Sequence, residues 1–211
     1  VIKVVREEEK KGATAKYYRV CFPAFGVELP FGYHRMAVPG TPVLDEKLKQ
    51  FFEPFLRDDT LDGKIVVGSP DPHGPFKARA RDGHYAAFLG LFLGQFVNLP
   101  DDFIVKLDVD VKAEKDENNN LILVGGPGTN LLTQEVNDSL PTRFSMTSSD
   151  QGFFFGGLVS QKTGKVYTGD AVGVIAKTIN PWEKNKRIIV VAGNKSVGTK
   201  ACVLALTKFW K

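Results

Sequence analysis

Leu121-Ile-Leu-Val-Gly-Gly-Pro-Gly-Thr-Asn130 is the stretch that decides the fold, because its design occurs twice more in the chain. Lys64-Ile-Val-Val-Gly68 and Arg187-Ile-Ile-Val-Val-Ala-Gly193 are also short apolar runs that end at glycine, and each is followed by a helix-like stretch. Apolar runs without alternation suit strands that are buried on both faces. Strands that alternate with helices favour right-handed crossovers and a parallel sheet. The predicted fold class is therefore α/β, a Rossmann-like three-layer sandwich with a mostly parallel sheet.

The rest of the chain supplies helices, loops and an antiparallel insertion. Thr41 and Pro42 have the residue types of an N-cap and a first helical position, so they predict a helix that runs to Phe52. The further helices are predicted at 85–96, 130–140 and 198–210, and further strands at 103–110 and 172–179. Residues 142–179 contain strand-like pieces without a helical period, and Lys162–Lys165 is predicted to be a hairpin turn.

Composition excludes several classes of protein. The chain has 211 residues, a net charge of +4, 43% apolar and 25% charged residues, which are values of an ordinary soluble domain. Its apolar runs are too short for a membrane-spanning helix, and its charged first twenty residues do not form a signal peptide. Two cysteines, Cys21 and Cys202, are too few for a disulfide scaffold or a zinc finger. Enzyme, sensor and nucleic-acid binder all remain open.

The first 21 residues differ from the rest and predict a β-hairpin with six basic and three acidic residues. Residues 22–40 are rich in proline and glycine and are predicted to be a linker. Residues 41–211 then form the α/β domain, which senses a ligand or mediates assembly. Since the hairpin carries most of the net charge, any DNA contact is expected there.

The hairpin sequence Val4-Val-Arg-Glu-Glu-Glu-Lys-Lys-Gly-Ala-Thr-Ala-Lys-Tyr-Tyr-Arg19 resembles the wing of winged-helix transcription regulators of the arsenic-repressor type. The resemblance implies phosphate-backbone contacts by Arg6, Lys10 and Lys11. It also implies helices upstream of Val1, which is not a methionine. The alternative is a solvated edge hairpin whose charges prevent aggregation.

The three glycine-rich loops are expected at one edge of the sheet, where open α/β sheets bind ligands. Glycine lets backbone amides approach an anion, and a helix N-terminus adds positive potential. The predicted ligand-binding residues are Gly68, Ser69, His73, Arg79, Arg81, Gly125, Gly126, Pro127, Asn130, Gly193, Gly198 and Thr199. The alternative is a set of tight strand-to-helix turns, in which Thr199 and Asn130 are caps and Gly198 permits close packing.

Two stretches raise the question of catalysis. Residues 193–200 resemble a P-loop in which lysine and the hydroxyl residue are exchanged, so we exclude nucleotide hydrolysis there. Residues 69–84 contain His73 and His84 beside Asp71 and Asp82, which could serve acid–base chemistry. In the alternative, Asp82 caps a helix and the arginines are solvated. Cys202 is expected in the core. No catalytic residue or metal ligand is assigned, and the cofactor is unknown.

The body also resembles a module of archaeal surface-layer-like proteins, which occurs behind winged-helix domains too. The motifs are 121–130, Asn180-Pro-Trp182 and 188–201, and the resemblance covers roughly residues 60 to 210. Gly125, Gly126, Pro127 and Asn130 match the first of these motifs. The last motif is matched by Gly193, Gly198 and Thr199, whereas Asn194 and Lys195 occupy variable positions. The resemblance implies a fold rather than a reaction.

Three hypotheses follow. The leading one is a cytoplasmic, homodimeric archaeal transcription regulator that binds a small anionic ligand at its glycine-rich loops and DNA through its wing, without a membrane partner. The second is a surface-layer-type structural domain that assembles with itself. The third is an enzyme that acts on a phosphorylated or nucleoside-like substrate through His73 or His84.

Overall fold

The computed structural model describes residues 2–10, 13–20, 44–57, 59–98, 101–149 and 152–210. The chain divides into two compact units, Val1–Thr41 and Pro42–Lys211. In the first unit, strands β1 (Ile2–Lys10) and β2 (Ala13–Val20) pair antiparallel, from Ile2 opposite Val20 to Lys10 opposite Ala13. This is the hairpin that the sequence predicts. Lys11, Cys21 and the predicted linker 22–40 lie outside the described residues.

The second unit combines helices with short strands. Its strands are β3 (Leu56–Arg57), β4 (Thr60–Leu61), β5 (Lys64–Val67), β6 (Val105–Leu107), β7 (Leu121–Val124), β8 (Thr142–Ser149), β9 (Gly152–Ser160), β10 (Val166–Tyr167), β11 (Gly173–Ile179) and β12 (Arg187–Gly193). Its helices are α1 (Glu46–Phe52), α2 (Gly83–Leu93), α3 (Asp108–Glu114), α4 (Leu131–Val136), followed by a 3₁₀ turn at Asn137–Ser139, and α5 (Ser196–Lys208).

Within the described ranges, the main sheet of this unit contains five strands in the order β11-β12-β7-β5-β6. Neighbours among β12, β7, β5 and β6 are parallel, whereas β11 pairs antiparallel with β12 at one edge. The register places Val67 beside Val124 and Val124 beside Val191. The three apolar runs of the sequence are thus adjacent strands, and the glycines that follow them meet at the carboxyl edge of the sheet.

Alternate residues of the central strands enter two separate hydrophobic clusters. Ile65, Ile122 and Ile189 pack with residues of α2 and α5. Val66, Leu123 and Val190 pack in the other cluster, to which α3 and α4 contribute. Strands that bury both sets of side chains read as continuous apolar runs, which explains the pattern in the sequence.

The strands between residues 142 and 179 belong to two different sheets. Strands β8, β9 and β10 form a separate small sheet, in which β9 and β10 are joined across the predicted turn Lys162–Lys165. Strand β11 joins the main sheet instead. The structure therefore confirms a mixed α/β fold with small antiparallel sheets, while the three-layer Rossmann-like arrangement stays a prediction.

Two element predictions are wrong in their bounds. The strand predicted at 103–110 covers only Val105–Leu107, because helix α3 begins at Asp108. Helix α1 begins at Glu46 rather than after Thr41, because the Asp45 side chain accepts a hydrogen bond from the Lys47 amide at 2.9 Å. Thr41 and Pro42 themselves lie outside the described residues.

Candidate ligand-binding cleft

A cleft of about 220 Å³ lies at the carboxyl edge of the main sheet. Three loops enclose it: the β5–α2 loop, the β7–α4 loop and the β12–α5 loop. Its lining comprises Arg79, Arg81, Asp82, Gly126–Thr129, Phe144, Gly193–Ser196 and Thr199. The volume is below the roughly 300–1,000 Å³ of pockets for drug-sized ligands, so the cleft suits a smaller molecule.

Glycine makes the convergence of these loops possible. A Cβ atom at Gly68 would overlap the carbonyl oxygen of Thr129, and one at Gly193 would overlap the backbone of Gly198 and Thr199. The Thr199 hydroxyl accepts a hydrogen bond from the Gly193 amide at 3.1 Å. Thr199 thus binds the end of β12 and does not cap α5, which corrects one predicted role, whereas close packing at Gly198 is confirmed.

The β5–α2 loop is anchored by Asp108, which is fully buried at the start of α3. Its Oδ1 accepts hydrogen bonds from the amides of Ser69 and Val109 at 2.8 and 2.9 Å. Its Oδ2 accepts from the Leu131 amide at 2.8 Å and from His73 Nε2 at 2.9 Å. One carboxylate therefore joins the beginnings of this loop, of α3 and of α4. His73 serves this anchor and does not line the cleft.

Asp82 is unusual among the residues of the cleft, because its carboxyl group is buried. Its side chain was predicted to cap α2, but it makes no capping hydrogen bond. The residue is only 6% exposed, and its Oδ1 has no hydrogen-bond partner in the part of the chain that the structure describes. Burial raises the pKa of this carboxyl above its ordinary value, and the charge of His84 opposes the shift.

A second acceptor without a partner lies on the β12–α5 loop. The Asn194 side-chain amide donates to the carbonyl oxygens of Tyr167 and Gly169 at 2.8 and 3.0 Å. Its Oδ1 is buried, and no described residue forms a hydrogen bond with it. Exchanging the amide oxygen and nitrogen would set the oxygen against two carbonyls, so the contacts fix this orientation.

Positive charge surrounds these acceptors. The side chains of Arg79 and Arg81 are exposed, and neither forms an ion pair or hydrogen bond that the described part of the chain shows. Lys195 is also at the cleft, but its Nζ pairs with Asp170 at 3.0 Å. The amino end of α5 begins here as well and adds the partial positive charge of a helix N-terminus.

The predicted ligand-binding residues divide into two groups. Arg79, Arg81, Gly126, Pro127, Gly193 and Thr199 line the cleft. The second group does not line it and comprises Gly68, Ser69, His73, Gly125, Asn130 and Gly198. Asn130 is an example of why, since its oxygen accepts from the amides of Leu132 and Thr133 and its nitrogen donates to two strand carbonyls. The predicted cap at Asn130 is confirmed.

Sequence reasoning missed Asp82 and Asn194 as cleft residues. Asp82 follows two arginines in Arg79-Ala-Arg-Asp82, an arrangement that gives no sign of burial. Asn194 was treated as variable, although it directly follows the glycine that ends β12. Position beside a strand-ending glycine was the signal available for Asn194, and no comparable signal existed for Asp82.

Two other candidate groups, His84 and Cys202, do not line the cleft. His84 is exposed, and its ring contacts Tyr85 at a centroid distance of 3.9 Å. Cys202 is buried as predicted, and burial raises the pKa of its thiol to about 11. Within the described ranges, no three His, Cys, Asp or Glu side chains are grouped to hold a metal, and no helix has the length and hydropathy to cross a membrane.

The predicted DNA contacts fall on the hairpin. Arg6 and Lys10 belong to β1, whose side chains at these positions are outside the structural description, and Lys11 lies outside the described residues altogether. Their role as phosphate contacts stays a prediction.

Comparison with known proteins assigns the fold to a family. Residues 95–210 match the S-layer like family, outer domain. The chain belongs to this family. The matched range includes α3, α4, α5 and two of the three loops that form the cleft. It agrees with the surface-layer-like resemblance of the sequence motifs, whereas no comparison supports a winged-helix regulator or DNA binding.

A relative of this chain is an uncharacterised protein of Methanocaldococcus jannaschii. The two are 30% identical over 108 residues, which are 51% of this chain and 20% of that protein. The chain therefore matches about a fifth of the length of that relative.

Proposed function

We propose that this chain is a surface-layer-type structural domain that assembles with copies of itself. Membership of the S-layer like family carries the proposal. A surface layer needs repeated contacts between copies, and these contacts require apolar or edge-strand surface that an isolated domain leaves exposed.

The edges of the main sheet offer such surface. Strand β6 ends the sheet on one side, where Phe103 and Val105 are 86% and 45% exposed. Strand β11 ends it on the other side, where Ile179 is 56% exposed. Edge strands present unpaired backbone groups that template pairing with another chain. We therefore assign self-association to both edges of the main sheet. We expect the β6 edge to contribute more, because Phe103 is the most exposed of these apolar side chains.

Sedimentation velocity of the chain over a wide concentration range, followed by electron microscopy of concentrated samples, tests the assignment. We expect concentration-dependent association, and we expect Phe103→Ser to weaken it about tenfold or more. Phe209→Ser is the matched control, because Phe209 is 73% exposed at the end of α5 and belongs to neither edge strand. A monomer at every concentration contradicts assembly, and an effect of Phe209→Ser alone contradicts the edge assignment.

We also propose that the main sheet is the middle layer of the predicted three-layer Rossmann-like arrangement. The two hydrophobic clusters support it, because each contains alternate strand residues and different helices: α1, α2 and α5 in one cluster, α3 and α4 in the other. The predicted cytoplasmic location and the predicted homodimer belong to the regulator hypothesis. Like the predicted DNA contacts, they remain proposals.

A further inference from the structure

The cleft holds two acceptor oxygens that the fold leaves unused. Asp82 Oδ1 comes from the β5–α2 loop and Asn194 Oδ1 from the β12–α5 loop, and both are buried without a hydrogen-bond partner among the described residues. A buried polar atom without a partner is costly, because the hydration it loses on folding is not replaced. Two such atoms on separate loops of one cleft indicate that the cleft takes up a ligand that supplies the donors which the described residues do not.

The cationic groups of the cleft impose a second requirement. Arg79 and Arg81 line it with exposed guanidinium groups that the described residues leave unpaired, and arginine binds carboxylate or phosphate through paired donors. The N-terminus of α5, a helix of 13 residues, also favours an anion there.

A simple ligand does not satisfy both the acceptor oxygens, which need hydrogen-bond donors, and the arginines, which need an anionic group. The Asp82 carboxylate repels a plain anion, and the arginines give no advantage to a neutral molecule. A ligand that satisfies the whole cleft carries an anionic group at one end and hydrogen-bond donors at the other. It is also small, since the cleft measures about 220 Å³.

We propose that the cleft binds a small polyhydroxylated molecule with one carboxylate or phosphate group, such as a sugar acid or a sugar phosphate. The anionic group pairs with Arg79 and Arg81. Hydroxyl groups of the ligand donate to Asp82 Oδ1 and to Asn194 Oδ1. The binding site is distinct from the β6 edge, so it neither requires nor excludes self-association.

Isothermal titration calorimetry of the chain with five probes tests the proposal: glucuronate, glucose 6-phosphate, glucose, acetate and inorganic phosphate. We expect glucuronate or glucose 6-phosphate to bind at least about tenfold more tightly than glucose. We expect the same margin over the simple anion with the same acidic group, which is acetate for glucuronate and inorganic phosphate for glucose 6-phosphate. The preferred probe of the two distinguishes a carboxylate from a phosphate ligand. Absence of binding by both overturns the proposal.

Variants locate the two halves of the site. Replacing Arg79 and Arg81 together by glutamine is expected to weaken the binding of the preferred probe about tenfold or more. We expect the double variant to fold, because both side chains are exposed. Arg57→Gln is the matched control, because Arg57 is exposed on β3 and does not line the cleft. Equal affinity in the double variant and the wild type overturns the proposal.

Asp82→Ala is expected to change the affinities for the hydroxylated anion and for inorganic phosphate differently. We expect it to weaken the hydroxylated anion several-fold, because an acceptor is lost, and to leave inorganic phosphate unchanged or bound more tightly, because a negative charge is lost. Weakening of both probes to the same extent, or of neither, contradicts the role of Asp82. If this variant fails to fold, Asn194→Ala measures the other acceptor with the same two probes.

Discussion

His73 Nε2 donates a hydrogen bond of 2.9 Å to Oδ2 of Asp108, a carboxylate with no exposed surface. The other ring nitrogen, Nδ1, lies 2.8 Å from the carbonyl oxygen of Asp71. The ring therefore contacts an acceptor oxygen through each of its two nitrogens. The pair fixes the base of the loop that carries Arg79, Arg81 and Asp82 to the cleft.

Removal of the Asp108 carboxylate is expected to destabilise the fold strongly. Asp108→Ala leaves the Ser69 and Leu131 amides without an acceptor and His73 without its partner, so we expect a loss of about 3–5 kcal/mol in the free energy of unfolding. Urea denaturation measures it. Asp110→Ala, an exposed aspartate of the same helix turn, is the control and is expected to change stability by less than about 0.5 kcal/mol. Similar values for both variants contradict the anchoring role.

Alanine at two glycines is expected to act in opposite directions. Gly68→Ala places a methyl group against the Thr129 carbonyl oxygen and forces the β5–α2 and β7–α4 loops apart, at a cost of about 3 kcal/mol or more. Gly83→Ala meets no atom within 4 Å at the start of α2 and is expected to stabilise by about 0.5–1 kcal/mol. Thermal unfolding of both variants checks the pair, and equal changes of one sign contradict the packing at Gly68.

The buried Asp82 carboxyl predicts a pH-dependent difference between wild type and Asp82→Asn. Burial raises the pKa of the folded state above the ordinary value of 3.8, so the unfolded chain loses its proton first as the pH rises. Wild type therefore loses stability between pH 3.8 and the raised pKa, whereas asparagine does not titrate. We expect the free energy of unfolding of the variant, minus that of wild type, to increase from about pH 3 to about pH 7. A constant or decreasing difference in urea titrations contradicts the burial effect.

Lys177 is expected to stabilise the end of α1. Its Nζ donates to the carbonyl oxygens of Gln50, Phe51 and Glu53 at 3.2, 2.8 and 3.2 Å. A cation at a helix C-terminus is favourable, and solvent exposure limits the gain, so Lys177→Met is expected to cost about 1 kcal/mol. Lys200→Met, at an exposed position within α5, serves as the comparison. Urea midpoints that shift equally for both variants contradict the capping contact.

The periodicity of the sequence was sufficient for the central strands, the hairpin and most helices. Each of β5, β7 and β12 is a continuous apolar run ended by glycine, and such a run has few alternatives to a strand buried on both faces. The strand predicted at 103–110 failed because its alternation continues into α3, and a buried aspartate that starts a helix has no distinctive local pattern.

The cleft was foreseeable in place but not in composition. Parallel strands bring their carboxyl ends to one edge, so three glycine loops were expected to meet there. His73 and Asn130 were predicted to bind a ligand on residue type, and both make hydrogen bonds that hold loops and helix starts together. Asp82 and Asn194 acquire their importance from burial, which depends on contacts with distant residues.

The sequence by itself determined the alternation of strands with helices, the order of the glycine loops and the family, because these depend on local pattern and spacing. Only the tertiary structure decided which polar groups are satisfied. Asp108 and Asp82 are the same residue type near the starts of two helices. The described residues donate four hydrogen bonds to Asp108, whereas they donate none to one oxygen of Asp82. The difference arises because hydrogen bonding and desolvation depend on chain segments that meet only in the folded state.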